Sequence, residues 1–190
     1  MDKKTLHGMW NYFLMLESDL DNTSRYIEPK EQENVYSFEF AKLLILACTE
    51  VESVFRKICQ QIDKTQPANN IIDYREIIMG KFPKIIDATV CISRLGSNIE
   101  PFKEWEKEEP KSPSWWRAYN KVKHNRDSNF TEATYMNAVT ALSALYILIF
   151  YLAAITNLDF PNYTGKYIKS EYEKVLLTYG AQRRLPDFET

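Results

Sequence analysis

Apolar side chains recur at three- and four-residue spacing through Leu6, Met9, Trp10, Phe13, Leu16 and Leu20, and no proline interrupts them. That period predicts an amphipathic helix over about 6–27, ended by Glu28-Pro29 and the polar run that follows. A second helix is predicted over about 35–63. Its main stripe is Phe38, Ala41, Leu44, Ile45, Cys48, Val51, Phe55, Ile58, Cys59 and Ile62, and a second stripe holds Leu43, Ala47 and Val54. A helix that is apolar on more than one side belongs at the centre of a bundle.

Further along, a short helix is predicted over 71–79, with Gly80 just past its end. The pattern then changes. Residues 85–92 are β-branched without helical period, 94–98 read as a turn, and 99–102 can pair back. A small hairpin insert over about 85–102 follows. Glu104–Glu109 reads as an acidic surface run. Pro110 and Pro113 break the chain, and Ser112 or Ser114 can cap the next helix, predicted over 114–126 and ended by Asp127-Ser128-Asn129. A long apolar helix is predicted from Thr131-Glu132 to Thr156, stopped by the segment 158–162. A final helix is predicted over 166–179, with Gly180 as its stop and Arg183-Arg184 on a surface tail. Together these elements predict an all-α bundle of five to six helices with one hairpin insert, as a single domain over 1–190.

Residues 138–156 carry no charge, which approaches the length of a membrane span. Thr140, Ser143, Tyr146 and Tyr151 interrupt the run, no basic flank lies close, and Asp159 follows it. The segment reads as a core helix, and no membrane association is expected.

Composition narrows the function classes. The net charge is −2, so no overall positive field draws nucleic acid and any such role rests on a local patch. The three cysteines, Cys48, Cys59 and Cys91, form no CxxC pair, and the N-terminus has no apolar leader. A reducing, cytoplasmic location is expected. The two histidines, His7 and His124, and the scattered cysteines show no metal-ligand spacing. No Gly-rich phosphate loop exists, so neither metal nor cofactor is expected. His7 reads as structural or exposed.

The chemistry concentrates in 111–126, which carries Lys111, Arg117, Lys121, Lys123 and Arg126 with His124 and no acid. On a helix, Trp115, Ala118, Tyr119 and Val122 share one face, and Arg117, Asn120, Lys121 and His124 the opposite one. Arg117 and His124 are two turns apart, about 10 Å along the axis. Trp116 falls between the faces, where an exposed indole marks a contact surface. The plainest account of the polar face is solvent. Glu52, one turn before Arg56, reads as an i,i+4 ion pair or as a carboxylate orienting a catalytic group.

The arginine and histidine with six residues between them, Arg117-Ala-Tyr-Asn-Lys-Val-Lys-His124, precede a long apolar helix, as the block Pro101-Phe-Lys-Glu-Trp105 precedes them. This arrangement resembles the HEPN superfamily (higher eukaryotes and prokaryotes nucleotide-binding), in an uncharacterised bacterial branch. The resemblance implies metal-independent RNA cleavage, with His124 as general acid or base and Arg117 holding the scissile phosphate. It further implies a homodimer joined through the Arg117/His124 face, with Lys121, Lys123 and Arg126 following the RNA backbone, and a toxin or phage-defence role with an antitoxin or other protein partner. The family often has a polar residue directly after the arginine. Here that position is Ala118, and Asn120 on the same face can stand in for it. Two other classes stay open: a non-catalytic module of the same fold that binds nucleotide, RNA or protein, and an unrelated helical interaction protein.

Overall fold

A computed structural model describes residues 1–107 and 111–158, together with the short segment 168–169. Among them are six α-helices: α1 (Lys3–Thr23), α2 (Phe38–Ile62), α3 (Ile71–Lys81), α4 (Ser114–His124), α5 (Arg126–Asn129) and α6 (Tyr135–Thr156). The fold is an all-α bundle with a small antiparallel hairpin, β1 (Val90–Ile92) and β2 (Ser97–Ile99).

Helices α2 and α6 form the central pair, with α1 and α4 packed on them and α3 against α2. The predicted stripe of α1 is buried at Leu6, Trp10, Phe13, Leu16 and Leu20. Both stripes of α2 are largely buried, as expected of a central helix, but Ile45 and Ile62 are half-buried and Phe38 is 70% exposed. It is the first residue of the helix, and Phe40 takes the inner seat, edge-on to Tyr135 at 5.6 Å. Helix α6 is long and apolar enough to cross a membrane, but 83% of its apolar window is buried inside the protein. That is the environment of a core helix.

Side-chain caps set the starts of α1, α2, α3 and α6. Asp2 accepts from the Thr5 N–H at 2.7 Å, Ser37 from Phe40 at 3.1 Å, Asn70 from Ile72 at 2.9 Å and Thr134 from Asn137 at 3.1 Å. Thr134 moves the start of α6 past the predicted Thr131-Glu132, which lies in a 3-10 turn over Phe130–Glu132. Asn157, in the left-handed region at φ 51°, ends α6. Gly80 lies inside α3 rather than beyond it; the helix runs to Lys81 and Phe82 is its cap.

The hairpin is shorter than its β-branched sequence suggests. Residues 83–87 form a 3-10 turn, and the paired residues are Val90 with Ile99, Cys91 with Asn98 and Ile92 with Ser97. Val90, Ile92 and Ile99 are buried, and Gly96 takes the turn at φ 64°, which an L side chain resists. Pro101 and Phe102 are not in the strand. Ile168–Lys169, expected as helix, instead pair with β1 at Ile92 and Cys91. The rest of the predicted final helix, Gly180 and the Arg183-Arg184 tail lie outside the described residues.

Helix α4 rests on a seat of rings. Phe55 of α2 stacks on Tyr74 of α3 at 5.1 Å, with Trp105 at 5.7 Å, Phe102 at 6.1 Å and Trp116 at 6.3 Å. The Trp115 indole N–H donates to the Pro101 carbonyl at 2.8 Å, and Arg75 donates to the Trp105 carbonyl at 2.7 Å. Buried Trp and Tyr groups commonly find such polar partners, and offset and edge-on ring pairs add to area burial.

Candidate functional site on helix α4

Trp115, Trp116, Ala118, Tyr119 and Val122 are buried, while Arg117, Lys121 and His124 are exposed and Asn120 is half-buried. The division into a seat face and a polar face therefore holds, with Trp116 moved to the seat. Trp116 is not an exposed contact residue. It packs edge-on to Trp115 at 5.7 Å and tilted on Tyr119 at 5.2 Å.

The helix start departs from expectation. Neither Ser112 nor Ser114 caps it; Pro113 occupies the cap position with no side-chain bond. The acceptor comes from another segment. Glu104 accepts from the Ser114 N–H at 2.6 Å and pairs with the Arg117 guanidinium at 3.3 Å. The guanidinium also donates to the Ser112 carbonyl. One carboxylate thus satisfies one of the orphaned N-terminal amides and holds the arginine. Partial burial of Glu104 opposes its charge. The Ser114 hydrogen bond and the Arg117 charge outweigh that burial, so its carboxyl titrates below the ordinary 4.5.

A depressed carboxyl contributes stability above the unfolded-state value and loses it as pH falls through the folded one. Glu104→Gln is therefore expected to lose about 1 kcal/mol of stability at pH 7, in the range of a lost helix cap. At pH 3, below the ordinary carboxyl value, the deficit should be smaller. Urea unfolding at the two pH values checks this, and an equal deficit at both would refute the ionic part of the argument.

The helix ends at His124, two residues earlier than predicted. Asn125 leaves helical geometry at φ −151°, ψ 75° and its side chain caps α5 by accepting from Ser128 at 3.4 Å. The Asn129 amide donates to the Asn125 carbonyl at 2.8 Å. Arg126 thereby leaves the α4 stripe and stands over the Phe38 ring, 5.7 Å from its centroid.

The three proposed backbone-following cations therefore diverge. Lys121 pairs with Glu132, and Lys123 stands over Tyr119 at 5.1 Å. A contact with the Tyr119 hydroxyl chiefly raises the pKa of Lys123, with Glu52 adding to it. Glu52 itself pairs with Arg56 at 2.5 Å, and Arg56 donates to the Tyr74 hydroxyl at 3.1 Å. The i,i+4 ion pair is thus present, and the electrostatic neighbour of Glu52 on α4 is Lys123.

Elsewhere, burial raises the Cys48 thiol well above its ordinary value and that of Cys59 to about 12, which leaves neither as a ready thiolate. His7 is half-buried on α1, its Nε2 without a hydrogen-bond partner among the described residues. Among the described residues no group of three or more His, Cys, Asp or Glu is placed to hold a metal ion.

Sequence reasoning missed Glu104, which read as one member of an acidic run, and Glu132, which read as a helix start. No local signal marks either, because each meets α4 only through the fold. Comparison of the chain with family models, with curated proteins and with solved structures found no match.

Proposed function

We propose that this protein is a metal-independent endoribonuclease of HEPN type, acting as a toxin or phage-defence effector in the cytoplasm. The observation that supports the reading is the common exposure of Arg117 and His124 on one face of a helix clamped to the core, with Asn120 between them. In this reaction the ribose 2′-oxygen attacks phosphorus and the bond from phosphorus to the 5′-oxygen breaks. One His124 takes the 2′-hydroxyl proton, and a second His124, across a homodimer groove, delivers a proton to the leaving 5′-oxygen. Arg117 donates two parallel hydrogen bonds to the non-bridging oxygens, whose charge rises in the transition state. The products are a 2′,3′-cyclic phosphate and a free 5′-hydroxyl.

Arg117 is already engaged by Glu104 and by the Ser112 carbonyl, so the energies must allow exchange. An exposed ion pair contributes about 0–1 kcal/mol. A charge-assisted bond to a phosphate contributes roughly 1.5–3 kcal/mol. The phosphate wins, and Glu104 keeps its bond to the Ser114 amide. The same pairing also favours a second reading, in which Arg117 and Lys121 serve to fasten α4 and the chain is a non-catalytic module binding nucleotide, RNA or a protein partner such as an antitoxin.

Incubation of single-stranded RNA with the full chain in EDTA separates the two. Cleavage leaving 2′,3′-cyclic ends, lost on Arg117→Ala, supports the ribonuclease. Stable, salt-sensitive binding without any cleavage selects the module.

A further inference from the structure

The entry segments of α2 and α6 are joined by backbone hydrogen bonds. The Tyr135 N–H donates to the Val35 carbonyl at 2.9 Å and the Ser37 N–H to the Ala133 carbonyl at 3.3 Å. This pairing gathers three rings at the surface. Phe38 lies 4.6 Å from Phe130, tilted by 36°, and Tyr36 meets Phe130 edge-on at 5.4 Å. Phe38 is 70% exposed and Tyr36 48%. Arg126 stands over Phe38. Unlike Arg117 and Lys121, it has no carboxylate partner among the described residues.

We propose that Tyr36, Phe38, Phe130 and Arg126 form a stacking platform for a base of a single-stranded nucleic acid. Three features favour this occupant. The exposed ring surface of Phe38 and Tyr36 accepts the π-face of any base, and the guanidinium over Phe38 supplies both a cation–π contact and a donor for the adjoining phosphate. The patch is small: with side chains of about 150–250 Å² each, partly covered, it offers a few hundred Å², well below the roughly 800 Å² per partner of a stable protein interface. The charge is also right. The unpaired cation suits a phosphate, whereas Glu39, beside Phe38 in sequence, is occupied by Lys42.

The platform also adjoins the polar face of α4. Arg126 is two residues from His124, so their Cα atoms lie within about 7 Å. A strand held by its base on Phe38 reaches His124 with a neighbouring phosphate. That direction of the strand rests on the ribonuclease reading; the stacking itself does not.

The test uses a fluorescein-labelled single-stranded DNA octamer, which lacks the 2′-hydroxyl and survives the proposed chemistry. Fluorescence anisotropy with the full chain at low salt is expected to show binding. Phe38→Ala should weaken it at least about fivefold, the loss of one stacked base. Phe38→Trp should retain it, and Arg126→Gln should weaken it and flatten its salt dependence. Circular dichroism melts confirm that the variants fold.

Wild-type affinity in folded Phe38→Ala and Tyr36→Ala variants overturns the platform, as does absence of binding by the wild type. Sedimentation showing a dimer that Phe38→Ala dissociates also overturns it, since the patch would then join two copies. If the octamer binds through Phe38 and the wild type cuts no RNA, the ribonuclease reading falls and the platform stands. If RNA is cut and Phe38→Ala changes no affinity, the reverse holds.

Discussion

Replacing His124 with alanine is expected to reduce RNA cleavage in EDTA by about 10²–10⁴-fold, the usual contribution of a positioned general acid or base. At 1.36 kcal/mol per tenfold, that is a rise of roughly 3–5 kcal/mol in the barrier. The side chain is exposed and has no hydrogen-bond partner among the described residues, so nothing in the fold depends on it. Its removal should change stability by no more than about 0.5 kcal/mol. The two magnitudes differ enough to separate chemistry from folding.

Binding of the DNA octamer should stay within a few-fold of wild type, because a proton-transfer group acts in the transition state rather than in the ground-state complex. Arg117→Lys makes a useful companion. It keeps the charge but not the two-pronged donor, so cleavage should fall while binding largely persists. Undiminished cleavage by a folded His124→Ala protein would end the catalytic role of this histidine.

The largest expected effect on stability is at Phe55. Truncation to alanine should cost about 3–5 kcal/mol, measured by urea unfolding. Phe55 is fully buried and stands at the meeting point of Tyr74, Phe102, Trp105 and Trp116. The loss is a large share of the roughly 5–15 kcal/mol that holds a domain folded.

The consequence is also local. Trp116 belongs to α4 and Trp105 adjoins Glu104, so a void at Phe55 loosens both the seat of α4 and the segment that carries its capping carboxylate. Cleavage should therefore fall by more than the unfolded fraction accounts for. Phe55→Leu, which leaves a smaller void, should cost markedly less. A loss under about 1 kcal/mol for Phe55→Ala would mean that the rings collapse into the gap and that the seat is not rigid.

Much of this arrangement is legible in the chain. Periodicity located the long helices and the seat face of α4, because burial of one stripe is what makes an amphipathic helix stable. It also separated Arg117, Asn120, Lys121 and His124 from Trp115, Tyr119 and Val122. Errors collected where a distant group decides the outcome. Phe38 fits the α2 stripe by spacing, yet it stands at the first position of the helix, where Phe130 and Arg126 leave it 70% exposed. Trp116 lies at the margin of the stripe by angle, yet Phe55 reaches under it. Arg126 continues α4 by composition, yet the Asn125 side chain caps a new turn and swings it onto Phe38.

The sequence by itself determined the all-α class, the central place of α2 and α6, and the common face of Arg117 and His124. These follow from the 3.6-residue period, which any chain segment carries with it. Only the tertiary structure decided what each side chain on that face meets: Glu104 for Arg117, Glu132 for Lys121, and the Phe38 ring for Arg126. Ion pairs and ring contacts between segments depend on packing geometry, and no local spacing encodes them. The polar stripe of α4 was readable in the order of its residues. Its clamp and the aromatic surface beside it exist because separate stretches of chain fold onto the same end of the bundle.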